Sequence, residues 1–178
     1  MEPCEYGCRG GHIFDGKVWR RCKCVEERIY KHKLGVFATK TPKKLTKLSE
    51  FLGSFLVIEG SMGSIRPHVA GVLISMIDSG KTFAIVDAYS LVEIFLDKDE
   101  SYSTLLDLVG LDLVIILMGF GDVKNQRLPE LIMQLFARRE LIQKPVWAVL
   151  GVTQEQLSAK YSDEVRVLIG KWKRVIIK

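Results

Sequence analysis

Four cysteines in the first 24 positions are the residues best suited to chemistry: Cys4, Cys8, Cys22 and Cys24. In a protein expected in the cytoplasm, such a compact cluster is more typical of metal binding than of disulfides. Four thiolates suit tetrahedral Zn²⁺, and because they leave no open coordination position the metal would be structural. The C-x3-C and C-x-C spacings differ from the usual C-x2-C pairs, so a reduced metal-free cluster and an iron–sulfur site remain alternatives.

A second candidate site follows the apolar run Phe55 to Glu59, which is typical of a buried parallel strand. Gly60 to Ser64 are turn residues, and a helical pattern of apolar residues begins after Pro67. A strand, a glycine-containing turn and a helix open the phosphate-binding P-loop folds. The sequence therefore predicts a βαβ unit of that type.

The P-loop chemistry is missing from this unit. On the pattern GxxxxGK[ST], the second Gly falls on Ile65, the Lys on Arg66 and the Ser/Thr on Pro67. Pro67 supplies neither a hydroxyl nor an N–H, and Arg66 is not equivalent to Lys at a tight phosphate site. The degenerate candidates for nucleotide binding are Gly60, Gly63, Ser64 and Arg66. Whether they still hold ATP is left open.

The most hydrophobic run, Leu111 to Met118, predicts a central strand with both faces buried. In P-loop ATPases this strand ends in the acids that hold Mg²⁺ and polarise the attacking water. Here those positions are Leu117 and Met118. An unconventional ATPase using Arg66 and Asp122 is the alternative to a non-catalytic protein.

The net charge of +5 is unevenly distributed. Residues 1–49 carry twelve Lys or Arg against five Asp or Glu, and the remainder is slightly acidic. Lys40, Lys43, Lys44 and Lys47 recur every three or four residues and could line one face towards nucleic-acid phosphates. The alternative is a flexible, solubilising hinge. Trp19 and Trp172 are the aromatic residues best placed for stacking on bases.

Strands alternating with helices predict an α/β domain with a mostly parallel sheet and flanking helices. We divide the chain into a zinc-binding module with a helix (1–35), a basic linker (36–50) and an α/β core without a helical lid (51–178). No apolar run approaches the length of a membrane span, and the N-terminus lacks an apolar signal region. A cytoplasmic protein is therefore expected.

The order of these parts resembles helicase loaders of the DnaC/DnaI/IstB group, which are AAA+ proteins. The opening CEYGCRGG…GKVWRRCKCVEERIYK is similar to that family's zinc-binding start, and Phe55 to Phe95 follows its P-loop, helix and second strand without a gap. LDLVIILMGFGD looks like its Walker B strand, and LPELIMQLFARRELIQKPVWAVLGVT looks like the helix and sensor strand that follow. KYSDEVRVLIGKWKRVIIK is similar to the segment with the arginine finger, whose position falls on Leu168, two residues from Arg166.

The resemblance implies a role in DNA replication as a protein that has kept the AAA+ fold and lost ATP hydrolysis. Its partners would be a replicative DNA helicase, single-stranded DNA, or both. A second hypothesis is an inactive subunit that pairs with an active AAA+ paralogue, in replication or as a transposition helper.

Overall fold

Five parallel strands form the main sheet of the computed structural model, which describes residues 8, 12–14, 19–43, 47–88, 90–92, 107–120 and 127–178. Two strands precede this sheet in the chain, β1 (His12–Phe14) and β2 (Trp19–Arg21). The main sheet comprises β3 (Leu56–Gly60), β4 (Phe83–Asp87), β5 (Leu113–Met118), β6 (Val146–Leu150) and β7 (Lys173–Ile177). The helices are α1 (Lys23–Leu34), α2 (Met62–Asp78), α3 (Leu128–Leu141), α4 (Gln154–Lys160) and α5 (Asp163–Ile169).

The strand order in the main sheet is β4-β5-β6-β3-β7, and every neighbouring pair is parallel. Strand β3 therefore lies between β6 and β7, whereas β4, the next strand in sequence, lies at the far edge. The carboxyl ends of all five strands meet at one edge of the sheet, which is where α/β proteins place their ligand sites. The predicted α/β fold with a mostly parallel sheet is confirmed.

Two hydrophobic clusters cover the two faces of the sheet, as expected for strands with both faces buried. One face packs against α2 through Ile58, Ile115 and Trp147. The opposite face packs against α3, α4 and α5 through Val57, Ile116 and Ala148. All six residues of β5 are buried and β5 lies between β4 and β6, so the prediction of an interior strand with both faces buried is confirmed.

The N-terminal part contains a small hairpin in which β1 and β2 pair antiparallel, with Ile13 opposite Arg20. Helix α1 follows and ends at Gly35, whose φ of 50° lies in the region that glycine adopts most easily. Helix α1 contacts α2, and Leu34 is buried in the cluster on the α2 side of the sheet. The hairpin and helix were predicted from the turn glycines and from Gly35.

The predicted linker packs on the core instead of forming a flexible hinge. It contains two 3-10 turns, Gly35–Phe37 and Lys47–Phe51, and both Phe37 and Leu48 are buried against α2. The backbone N–H of Lys43 donates to the carbonyl of Pro67 at 3.0 Å. The hinge alternative is therefore wrong for the described residues of 36–50, because apolar side chains and a backbone hydrogen bond hold them on α2.

Candidate metal centre and the predicted phosphate loop

Three of the four predicted metal ligands lie together. The sulfur atoms of Cys8, Cys22 and Cys24 are within 4.8 Å of one another, and the Cys8 and Cys24 sulfurs are 3.4 Å apart. Cys22 is buried and the other two are half-buried. Four sulfurs bound to one zinc ion at ~2.3 Å would lie about 3.8 Å apart, so these distances fit a shared metal ion.

The local fold brings these sulfurs together. Cys22 is the N-cap residue of α1 and Cys24 lies in the first turn of that helix. Cys8 precedes the hairpin in the chain, and the hairpin's second strand ends at Arg21, directly before Cys22. The N–H groups at a helix N-terminus carry partial positive charge, which favours thiolate ligands. Cys4, the fourth predicted ligand, lies outside the described residues.

The connection between β3 and α2 differs from the predicted loop. Strand β3 ends at Gly60 and α2 begins at Met62, so a single residue, Ser61, joins them. The Ser61 hydroxyl accepts a hydrogen bond from the Ser64 N–H at 3.1 Å and caps the helix. Gly63, Ser64 and Arg66 were predicted within or directly after the turn, whereas the structure places them in the first two turns of α2.

Gly60 has a specific structural role at this connection. Its φ is 147°, a backbone conformation that side chains disfavour. A β-carbon at this position would also overlap the backbone carbonyl of Ile177 at the end of β7. The close approach of β3 and β7 thus accounts for glycine here without reference to phosphate.

A cleft of about 480 Å³ lies at the carboxyl ends of β3 and β6. Its charged lining residues are Glu59, Glu155 and Arg174, so carboxylates outnumber cations. Arg174 also pairs with Glu59 at 2.9 Å, so the cation among the described lining residues already has a carboxylate partner. At the same cleft, Thr153 caps α4 through a capping box with Gln156.

The carboxyl end of β5 carries no acid among the described residues at the predicted Walker B positions. Leu117 and Met118 are buried, as part of the sheet's two apolar faces. Next to them, the N–H of Gly119 donates to the hydroxyl of Tyr161. Burial raises the pKa of the Tyr161 hydroxyl, and the nearby negative charge of Asp87 raises it further. The hydrogen bond from Gly119 has the opposite effect on this pKa, smaller than that of burial. Asp122, the acid of the alternative ATPase hypothesis, lies outside the described residues.

The predicted nucleic-acid lysines are exposed where they are described. Lys40, Lys43 and Lys47 all point to solvent, and Lys44 lies outside the described residues. Lys43 lies near His68 on α2, whose pKa is lowered first by burial and then by the Lys43 charge. The backbone of Lys43 lies against α2, where it contacts Pro67 and Gly71.

The tryptophans give little support to base stacking. Trp172 is half-buried, and its ring packs on Phe55 and Phe136 with centroid distances of 5.3 and 4.7 Å. Its role in base stacking stays a prediction, because these contacts leave only part of the ring accessible. The side chain of Trp19 lies outside the described residues.

Sequence reasoning missed the buried guanidinium of Arg139. It donates to the carbonyls of Leu108 and Val109 at 2.6 and 3.0 Å and to that of Pro145 at 2.8 Å. Burial lowers its pKa to about 10, against the opposing effect of Asp112. The sequence showed only a basic end to α3, because nothing in the helical pattern separates Arg139 from its neighbour Arg138.

No described helix has the length and apolar character needed to cross a membrane.

Comparisons with known proteins place the fold. No protein-family model and no curated protein matches the sequence. Among solved structures, AMPPCP-bound DnaA from Aquifex aeolicus gives a TM-score of 0.62 at 18% identity, over 74% of this chain and 43% of that chain. The DnaC helicase loader gives 0.56 at 14% identity, over 86% of this chain and 87% of that chain. DnaI gives 0.57 at 11% identity, over 93% and 85%.

This chain spans 43% of the length of these replication initiator structures, but most of the length of the DnaC and DnaI structures. In the parallel sheet, β3 lies between β6 and β7 and is followed directly by α2. The predicted P-loop corresponds to this junction between β3 and α2. The chain therefore shares an α/β fold, built on a parallel sheet, with the DnaC and DnaI structures.

Proposed function

We propose that this chain is a non-catalytic, helicase-loader-like protein of DNA replication that acts by binding a replicative helicase. The fold supports a replication-related role, because the structures it resembles over most of their length are the DnaC helicase loader and DnaI. The proposed cofactor is a structural zinc ion held by Cys8, Cys22 and Cys24 together with Cys4. ATP hydrolysis has no part in the proposed activity.

The observation that carries the non-catalytic assignment is the one-residue connection between β3 and α2. A P-loop surrounds the phosphates with the N–H groups of an extended loop, and its Lys and Ser/Thr contact phosphate and Mg²⁺. Here the equivalent residues have become the start of a helix, with Ser61 as its cap. Helical N–H groups beyond the first turn donate within the helix, so few remain for a phosphate.

The electrostatics of the adjacent cleft support the same conclusion. A nucleoside triphosphate with Mg²⁺ requires cations and metal-binding acids around its β- and γ-phosphates. The cleft has Glu59 and Glu155 against Arg174, and Arg174 is already paired. The described end of β5 supplies Leu117 and Met118 where metal-binding acids are expected. Such a site lacks the electrostatic stabilisation on which phosphoryl transfer depends.

Calorimetric titration with ATP and Mg²⁺ tests the non-catalytic assignment. We expect no binding heat at about 1 mM nucleotide, which corresponds to a binding free energy weaker than about −4 kcal/mol. Arg66→Ala and the distant, exposed Lys81→Ala are matched variants with the same charge change. Micromolar binding by the native chain would contradict the loss of the phosphate site and limit the proposal to the absence of hydrolysis, and loss of that binding in Arg66→Ala alone would assign phosphate to the start of α2.

The helicase partner is tested separately. The zinc-loaded chain, immobilised by a tag, is incubated with a hexameric replicative helicase from the same source, with and without ATP. We expect a complex of equal affinity in both conditions, because binding by this chain does not require nucleotide. Absence of a complex at about 10 µM of each protein, or a complex that forms only with ATP, would contradict the proposal.

A further inference from the structure

A basic surface runs across the outside of α2, along what we name the crossing segment (residues 35–43 and 47–51). At its start, Gly35 lies close to Ile85 of the edge strand β4. In its middle, the backbone of Lys43 contacts α2 at Pro67 and Gly71. At its end, the ring of Phe51 lies 5.4 Å from the Nζ atom of Lys173 on the opposite edge strand, β7. Because β4 and β7 are four strand spacings apart, the crossing segment spans about 19 Å.

Cationic side chains predominate along this path. Lys40, Lys43 and Lys47 are exposed on the crossing segment, and Glu50 is the carboxylate among its described residues. Two further exposed cations come from the core beneath it. These are Arg66, next to the Pro67 carbonyl that binds Lys43, and Lys173, beside Phe51.

The backbone that carries these cationic side chains is held in place by the fold, which distinguishes the surface from a mobile basic tail. Phe37 and Leu48 anchor both halves of the crossing segment in the α2-side cluster. The Lys43–Pro67 hydrogen bond and the close approach to Gly71 fix its centre. A ligand that binds here meets charges whose backbone positions are already set, so it orders little more than the lysine side chains.

The chemistry of the surface favours a phosphate backbone over a protein or an unstacked single strand. Protein interfaces usually contain several aromatic or aliphatic side chains that become buried on binding. Among the described residues of the crossing segment, Val36 alone offers an exposed large apolar side chain, which is too little for such an interface. Binding of single strands usually relies on aromatic rings that stack on bases. The two rings here are unsuited to that, because Phe37 is fully buried and Phe51 is half-buried beside Lys173.

We propose that the crossing segment, with Arg66 and Lys173, binds the phosphate backbone of duplex nucleic acid without reading its sequence. A duplex presents one negative charge per about 1.7 Å of its axis, so several of these cations can each meet a phosphate. Contacts from lysines to phosphates position a protein on a duplex but carry no sequence information. This binding is independent of the helicase interaction and can hold or fail separately from it.

Fluorescence anisotropy with a labelled mixed-sequence DNA duplex of about 20 base pairs tests the proposal, with the single strand of equal length as competitor. If each of the five exposed cations named above contacts one phosphate, the affinity should fall about 500-fold between 50 and 200 mM salt. Removing one contact by Lys43→Ala or Lys173→Ala should reduce the slope of log K against log salt by about 0.9. A sequence-scrambled duplex should bind equally well.

The position of the binding surface is tested with two variants that carry the same change of charge at different sites. Lys43→Glu should weaken duplex binding at least tenfold more than Lys81→Glu, because Lys43 lies on the crossing segment at Pro67, whereas Lys81 is an exposed residue beyond the C-terminal end of α2. Thermal unfolding shows whether each variant is folded before binding is measured. Equal losses in both variants, a salt slope near zero, or preference for the single strand would overturn the proposal.

Discussion

At the scale of single residues, Arg139 shows how one buried cation can join three parts of the fold. Its guanidinium lies on α3 and donates to the carbonyls of residues 108 and 109 and to that of Pro145 before β6. These carbonyls are buried or half-buried, where a missing donor would leave them without compensation for lost water. Arg139 therefore fixes α3 against both flanking connections.

We expect Arg139→Met to destabilise the protein by about 3 kcal/mol, because methionine keeps the aliphatic packing but leaves the carbonyls unsatisfied. The neighbouring Arg138→Met, with the same change of charge on a less buried side chain, should cost less than about 1 kcal/mol. Urea unfolding monitored by tryptophan fluorescence measures both. Similar losses in the two variants would show that the charge, and not the buried hydrogen bonds, matters.

Residue types with strong spacing signals were predictable, whereas roles set by tertiary contacts were not. The clustering of four cysteines within 24 residues predicted that Cys8, Cys22 and Cys24 would meet, although their spacing differs from the usual C-x2-C pairs. Arg139 carried no such signal, since its burial depends on a connection thirty residues away in sequence. Likewise, Trp172 gave no sign that it packs on Phe136.

At the scale of elements, the start of α2 was the main departure from the sequence prediction. Gly60 to Ser64 contain turn-forming residues, and Pro67 was expected in the first helical turn. The helix instead begins at Met62, because Ser61 is a good N-cap and the following glycine does not prevent helix formation. Pro67 then lies inside the helix, where it cannot donate to the Gly63 carbonyl. The strands, in contrast, were predicted well, since buried apolar runs of five or six residues have few alternatives.

The docking of the crossing segment on α2 predicts opposite effects for two glycines in that helix. A β-carbon at Gly71 would overlap the backbone carbonyl of Lys43, so Gly71→Ala should displace the segment and cost about 1–3 kcal/mol. At Gly63 a β-carbon would meet only the Ser61 hydroxyl at 3.8 Å. Gly63→Ala should therefore stabilise the protein by up to about 1 kcal/mol.

Urea unfolding gives the two free energies, and limited proteolysis shows whether residues 36–43 become accessible in Gly71→Ala. If Gly71→Ala were as stable as Gly63→Ala and equally resistant to protease, the segment would not be docked as the structure has it.

At the scale of the whole molecule, the cysteine cluster and the α/β core are connected through continuous packing. The cluster fixes the N-terminus of α1, α1 contacts α2, and Leu34 and Phe37 enter the same hydrophobic cluster as β3. A metal ion that orders the start of α1 would therefore also stabilise the core, because the energy of metal binding is coupled to folding.

Removal of the metal should consequently lower the stability of the entire chain. We expect purified protein to contain about one zinc ion per chain by mass spectrometry, because the proposed site comprises four thiolate ligands. A strong chelator should lower the unfolding temperature by roughly 5 °C, which for a chain of this size corresponds to about 2 kcal/mol of lost α1 packing.

The matched control is Cys8→Ser/Cys24→Ser, which should unfold at the lower temperature with or without chelator, because it has no site left to empty. If the chelator removed zinc but left the unfolding temperature unchanged, α1 would be ordered by its contacts with α2 alone. If no metal were found and the double variant were as stable as the native chain, the cysteines would not form a metal site.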